Sequence, residues 1–210
     1  MTMILNGLGR HEHNWWLRNL LILILGLRPN ITCICQSYRD YRYFRRYTKL
    51  ADITWIPGSG GSKRVTGSSK IPILVSRNEK MKFIYGGSDS ILDRFGSIYL
   101  IGVSDTYDKC ISVGEVSQND IFKLSNIFVQ IDGYGEGVPH TLVDAICSDM
   151  EIYISKFCWI KYGFYKISER PVINMNEFYY INKNDNGYGK IKSCVEQRTI
   201  INKYLSVICK

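Results

Sequence analysis

The stretch DGYGEGVPHTLVDAICSDMEIYIS, residues 132–155, contains the signals that decide the fold of this chain. Glycines surround one glutamate, Glu136, and a proline follows before an apolar run that contains a single acid, Asp144. Proline is tolerated at the first position of a helix, where its missing N–H costs nothing. The stretch therefore predicts a glycine-rich loop, a helix over Pro139–Cys147 and a strand over Glu151–Ser155.

The same alternation of strands and helices extends to both sides of this stretch. Short apolar runs rich in β-branched residues predict strands that are covered on both faces. These runs are Ile31–Cys35, Ile53–Ile56, Ile71–Ser76, Ile98–Ile101, Cys110–Val113 and Ile127–Ile131. Further helices are predicted over Tyr38–Lys49, Gln118–Ser125 and Val195–Ile208. The pattern predicts an α/β fold with a parallel sheet flanked by helices.

The composition is that of a folded protein with an anionic partner. The chain has 210 residues, 45% of them hydrophobic, and 27 lysines and arginines against 19 acids, which gives a net charge of +8. This charge suits a phosphorylated small molecule, nucleic acid or an anionic membrane surface. We do not expect nucleic acid, because no motif of a nucleic-acid reader accompanies the charge. The seven cysteines form no CxxC pair and no zinc-type cluster with histidine, so we expect reduced thiols and no metal.

Two segments near the start of the chain have alternative interpretations. The apolar segment Trp15–Leu27 contains a charged residue and is shorter than the roughly 20 apolar residues that cross a bilayer. It predicts a buried helix or, as the alternative, a helix on a membrane surface. In the next helix, Tyr41, Phe44 and either Tyr47 or Thr48 share one side, which predicts a stripe that faces the core. The arginines of that helix predict a solvated basic face, with a membrane surface as the alternative partner.

Five motifs in order along the chain resemble the retaining group 1, family 4-like glycosyltransferases of the GT-B fold. They are CICQSYRDYRYF (33–44), WIPGSGG (55–61), SRNEKMK (76–82), VGEVSQNDIFKLSNIFVQ (113–130) and GEGVPHTLVDAICSDMEIYIS (135–155). Arg77 and Lys82 have the spacing of the family's Arg-x4-Lys signature, and Glu136 and Asp144 have that of its acid-x7-acid pair. The resemblance implies the C-terminal half of a GT-B enzyme: a single Rossmann-like parallel sheet flanked by helices, with a short N-terminal helical and strand extension. Residues 58–210 would form a Rossmann-like nucleotide-sugar-binding domain, and residues 1–57 would be a remnant of the N-terminal domain with the interdomain segment.

The resemblance also implies roles for individual residues. Arg77 and Lys82 would pair with the donor diphosphate and stabilise the leaving group, and Glu136 would bind the sugar hydroxyls. The glycines of the donor site would let the backbone approach the phosphates, while Asp144 would reach the ribose. The donor-binding residues so implied are Gly58, Gly60, Gly135, Gly137, Val138, Pro139 and Asp144. No metal or other cofactor is expected, because arginine and lysine supply the positive charge. His140 is expected to be a first-turn helix residue.

The function that the resemblance implies is transfer of a sugar from a nucleotide sugar to a glycan or lipid-linked acceptor. The pathway would be the synthesis of a bacterial surface polysaccharide, such as lipopolysaccharide or capsule, in the cytoplasm at the inner face of the cell membrane. Three features depart from the family: only about 30 residues precede the strand at Ile31, Asp144 stands where the family has glutamate, and Gly86 and Gly87 interrupt the helix expected after Lys82. The alternative is therefore a truncated or non-catalytic donor-binding subunit that needs a complementary chain with an N-terminal domain.

Overall fold

The strands of the described residues form two sheets, one of three strands and one of seven. A computed structural model describes residues 2–7, 14–27, 30–48, 52–75, 91–103, 107–131, 137–168, 173–175 and 177–209. The strands are β1 Thr2–Leu5, β2 Thr32–Cys35, β3 Asp52–Trp55, β4 Ile73–Val75, β5 Ile98–Ile101, β6 Cys110–Gly114, β7 Ile127–Gln130, β8 Glu151–Ser155, β9 Ile173–Met175 and β10 Phe178–Ile181. The helices are α1 Trp15–Leu27, α2 Tyr38–Tyr47, α3 Ile91–Phe95, α4 Gln118–Ile121, α5 His140–Cys147, α6 Lys156–Tyr162, α7 Asn186–Val195 and α8 Gln197–Ile208.

The larger sheet has the strand order β6-β5-β4-β7-β8-β10-β9. Its first five strands are parallel, and β10 runs antiparallel to both β8 and β9. The parallel part has the order 3-2-1-4-5 that is found in doubly wound Rossmann sheets. All four residues of β7 are buried, as expected for a strand that is covered on both faces. The prediction of an α/β fold with a parallel sheet flanked by helices is therefore confirmed.

The smaller sheet consists of the parallel strands β1, β2 and β3 and forms the N-terminal extension. One face packs on α1 and α2, where Leu25 and Phe44 are fully buried against Cys33. The other face packs on the last helix, where Ile34 and Ile56 contact Ile200 and Val207. Helix α8 therefore packs on the smaller sheet. The predicted boundary between residues 57 and 58 stays a prediction.

Helix α1 differs from the buried helix that its apolar sequence predicts. Leu25 is its buried residue, whereas one whole face is exposed to solvent. That face consists of Trp16, Leu20, Leu23, Ile24 and Leu27, with Trp16 at 76% and Leu27 at 71% exposure. Within the described ranges, no helix has both the length and the hydropathy to cross a bilayer.

Helix α2 largely has the predicted amphipathic character. The side-chain oxygen of Ser37 accepts a hydrogen bond from the Asp40 N–H, which caps the start of the helix. Phe44 is buried in the core and Tyr41 packs against it, as predicted. Of the two alternatives for the third position, Thr48 is buried and its hydroxyl donates to the Phe44 carbonyl oxygen, whereas Tyr47 is 52% exposed.

Candidate functional site

The candidate site lies at the carboxyl ends of the parallel strands of the larger sheet. In a doubly wound sheet, ligands bind outside these ends, at the point where the strand order reverses. Here that point lies between the neighbouring parallel strands β4 and β7. Along the chain, Arg77 and Lys82 follow β4, and Gly135 and Glu136 follow β7. These four predicted residues lie outside the described residues, so their roles stay predictions.

Gly137 joins the segment that precedes α5 to the smaller sheet. Its N–H donates a hydrogen bond to the carbonyl oxygen of Asn6, which follows β1. A Cβ on Gly137 would lie 2.6 Å from the Cβ of Gln36, which follows β2. Only glycine fits such a close approach of two chain segments. The carboxyl ends of β1 and β2 therefore meet the start of α5 at Gly137.

Helix α5 begins directly after this contact. Pro139 is the N-cap and His140 is the first helical residue, so the prediction that the proline occupies the first helical position was wrong by one residue. The cause is the ψ of 140° at Pro139, which is extended backbone. Val138 is buried against Gly58, and the Nδ1 of His140 lies within a hydrogen-bond distance of 3.2 Å from the Ser59 hydroxyl. The structure thus brings the predicted donor residues Gly58, Val138 and Pro139 close together.

Gly58 and Gly60 have positive φ angles of 82° and 92°. Glycine adopts this region readily because it has no Cβ. A Cβ at Gly58 would lie 3.3 Å from a methyl group of Val143, and one at Gly60 would lie 2.9 Å from the Cα of Gln197. The two glycines therefore let their segment pass between α5 and the start of α8. The Gly58 carbonyl also accepts a hydrogen bond of 3.5 Å from the Tyr204 hydroxyl of α8.

Asp144 is the centre of a buried polar network. Its side chain is fully buried. One carboxylate oxygen accepts a hydrogen bond from the Ser62 N–H at 2.8 Å. The other accepts from the Nε of Arg64 and the amide of Gln118, each at 3.0 Å. A carboxylate has about four acceptor positions, so these three bonds occupy most of them. Asp144 therefore fixes the segment after Gly60 to α5.

Arg64 is a residue of this site that the sequence prediction missed. Its Nη1 donates to the side-chain oxygen of Asn119 at 2.8 Å, and its backbone N–H donates to the Ser148 hydroxyl at 2.8 Å. The arginine therefore joins α4, α5 and the segment after β3 in one cluster. The available signal was its place at the end of GSGGSKR, beside the glycines already assigned to the donor site. In the described part of the chain, no group of three or more histidine, cysteine, aspartate or glutamate side chains is arranged to hold a metal ion.

The comparison with known proteins supports the fold. No protein-family model and no curated protein matches the chain by sequence. Among solved structures, the glycosyltransferase TarM superposes with a TM-score of 0.61 and 9% sequence identity. The match covers 100% of this chain and 50% of TarM, so the chain spans half of the length of that protein. The likeness therefore shows the fold of the chain, an α/β fold with a Rossmann-like parallel sheet flanked by helices.

Proposed function

We propose that the chain binds a nucleotide-sugar donor and transfers its sugar to a glycan or lipid-linked acceptor. The observation that carries the proposal is the strand order of the larger sheet, with its switch point between β4 and β7. The family signatures with Arg77, Lys82 and Glu136 follow these same two strands along the chain. The likeness to TarM supports the same class of enzyme.

In the proposed reaction, Arg77 and Lys82 bind the diphosphate of the donor. Their charge stabilises the leaving group as negative charge grows on it, which is the electrostatic effect that commonly dominates such catalysis. No metal takes part in this proposal, because the two cations provide the positive charge. The start of α5 adds the N–H groups of its first turn, which have no partners within the helix. Glu136 binds the sugar hydroxyls through charge-assisted hydrogen bonds.

Asp144 has a more limited part in the proposed site than the family resemblance implies. Three of its roughly four acceptor positions already bind Ser62, Arg64 and Gln118. A ribose hydroxyl would therefore bind at the remaining position. We propose that Asp144 serves the donor site chiefly by holding the segment at Gly58 and Gly60 against α5.

Thermal unfolding with nucleotide diphosphates tests the donor site. We expect UDP or GDP, or one of their sugars, to raise the unfolding midpoint of the chain through mass action. The double variant Arg77→Gln/Lys82→Gln should abolish this rise. Lys80→Gln is the matched control, since it removes one cation from the same segment outside the signature and should keep the rise. Absence of any shift with all of these nucleotides would overturn the proposal.

The second candidate function is a donor-binding subunit that needs a complementary chain. Two observations favour it: β1 stands at the edge of the smaller sheet, and α1 exposes an apolar face to solvent. A complementary N-terminal domain would extend the sheet beyond β1 and cover α1. In the cytoplasm, which is the proposed location of the chain, an anionic membrane surface is the alternative partner that would cover the apolar face of α1. Transfer or hydrolysis of labelled donor by the isolated chain would contradict the subunit alternative.

A further inference from the structure

A groove between α2 and α6 is unrelated to the residues of the donor site. It has a volume of about 540 Å³, within the usual range for ligand pockets. Helix α2 belongs to the smaller sheet and α6 follows β8 of the larger one, so the groove lies between the two sheets. Such boundaries are preferred positions for ligand sites.

The walls of the groove are cationic. Helix α2 contributes three arginines at positions i, i+3 and i+7, and α1 and α6 add one cation each. These cations are Arg18, Arg39, Arg42, Arg46 and Lys161. Among the described residues that line the groove, none is acidic. The carboxylate of Asp40 pairs with Arg18 at 3.1 Å. The charge of the groove walls is of the sign that attracts an anion.

Contacts between the two helices hold the groove in one shape. The Ser37 hydroxyl donates a hydrogen bond of 3.3 Å to the carbonyl oxygen of Lys161. Two cations lie over the ring of Phe157: the Arg39 guanidinium at 5.7 Å from the ring centre and the Lys161 ammonium at 5.6 Å. The Arg18 guanidinium lies 4.4 Å from the ring centre of Tyr43. Cations that stack on fixed rings keep their positions before a ligand arrives.

The chemistry of the walls defines the ligand. Arginine forks match the oxygens of phosphate groups in pairs of hydrogen bonds. The arginine row spans about 10 Å along α2, at 1.5 Å per residue, which is long enough for more than one phosphate. Phe157 and Ile160 also line the groove with 45% and 57% of their surfaces exposed. An apolar group of the ligand would cover them.

We propose that this groove binds the phosphate or diphosphate group of an amphipathic ligand, such as a lipid phosphate. A lipid-linked acceptor of the proposed transfer belongs to this class, but the inference rests on the groove alone. The groove contains none of the residues that we assign to the donor site. Each role can therefore fail without the other.

Calorimetric titration with two probes, in the absence of any nucleotide sugar, tests this inference. The probes are inorganic pyrophosphate and farnesyl diphosphate below its micelle concentration. We expect Arg42→Gln/Arg46→Gln to weaken the binding of both probes by about tenfold or more, the effect of losing charged hydrogen bonds. Arg45→Gln is the matched control on the same helix, outside the groove, and should change affinity less than twofold. The donor-site variant Arg77→Gln/Lys82→Gln should keep farnesyl diphosphate binding.

The two probes also identify the source of the phosphate. Tighter binding of farnesyl diphosphate than of pyrophosphate supports a lipid phosphate, whereas equal affinities support a soluble phosphate ester in the same groove. Phenylglyoxal labelling of the unaltered chain checks the position without any risk of misfolding. Pyrophosphate should protect Arg42 and Arg46 and leave Arg45 reactive. The inference would be overturned if Arg42→Gln/Arg46→Gln bound both probes as tightly as the native chain does. It would also be overturned if the chain bound single-stranded DNA and neither probe.

Discussion

The substitution Asp144→Asn tests the buried network at the candidate site. Asparagine has almost the same shape as aspartate and can still accept the hydrogen bond from the Ser62 N–H. Its amide group would, however, face the donors of Arg64 and Gln118, which lie 3.0 Å from the native carboxylate. The substitution therefore leaves Arg64 without its anion and brings hydrogen-bond donors into opposition.

The expected cost follows from the burial of the pair. Breaking a buried ion pair from one side costs about 3–5 kcal/mol. The Arg64 side chain is 25% exposed and Asp144 is fully buried, so water relieves part of the cost for the arginine. We expect a loss of about 3 kcal/mol in the free energy of unfolding, near the lower limit of that range. For a chain of this size, such a loss lowers the melting temperature by roughly 6–12 °C.

The assay is urea unfolding of the native chain, Asp144→Asn and the control Asp149→Asn. Asp149 pairs with Lys192 at 2.8 Å, but its side chain is 39% exposed. Its positive φ of 59° suits asparagine. The control should therefore change the free energy of unfolding by less than about 1 kcal/mol. An effect of Asp144→Asn no larger than that of the control would refute the buried network. In a double-mutant cycle with Arg64→Gln, the coupling energy should be about 1 kcal/mol or more.

Three further predictions concern packing, hydrogen bonding and pH. Gly163→Ala should cost about 3 kcal/mol, because Gly163 has a φ of 80° and a Cβ there would lie 2.5 Å from that of Tyr38. Gly189 lies in a helix and has open space around it, so Gly189→Ala should raise the free energy of unfolding by about 1 kcal/mol. Equal effects of the two glycine substitutions in urea unfolding would contradict this reasoning. Tyr188→Phe removes the hydroxyl that donates to the carbonyl oxygens of Ile146 and Met150. Thermal melting should show a loss of about 1–2 kcal/mol in the free energy of unfolding. An unchanged midpoint would show that the hydroxyl is not hydrogen-bonded. Burial, followed by the Glu151 carboxylate, raises the pKa of Tyr180 to about 12. Because the folded pKa exceeds the unfolded value of about 10, its contribution to stability is present below pH 10 and is lost as pH rises to 12. The urea midpoint of Tyr180→Phe should therefore fall less steeply over this range than that of the native chain, and identical profiles would refute the assignment.

The sequence predicts several strands of the larger sheet to within one residue. The bounds of β5 and β8 agree with the prediction at both ends, and β7 ends one residue earlier than predicted, at Gln130. Strand β1 was missed because no turn signal stands before its four residues. Its pairing with β2 identifies it as a strand in the structure. Helix α7 was missed because it contains Gly187 and Gly189, which lower helix propensity. Its neighbour α8 starts two residues later than predicted, because Glu196 ends one helix and begins the next.

The candidate site was predictable as an order of motifs and unpredictable as a set of contacts. The motifs assigned Gly58, Val138 and Pro139 to one donor site. The structure places Gly58 against Val138, and their role in donor binding stays a prediction. The partner of Asp144 could not be inferred, because Arg64 lies 80 residues away and ion pairs leave no periodic pattern in one sequence. The contact between Gly137 and Asn6 was equally hidden, since the two residues are far apart along the chain.

The glycines of the candidate site also change how strongly the family motifs support the proposed donor. Gly58, Gly60 and Gly137 each stand where a Cβ would meet a neighbouring segment or where φ is positive. Packing alone is therefore a sufficient reason for glycine at these three positions, with or without a bound phosphate. Arg77 and Lys82 carry the charge that a diphosphate requires. The donor proposal thus depends on these two cations and on the strand order, and their substitution is its most direct test.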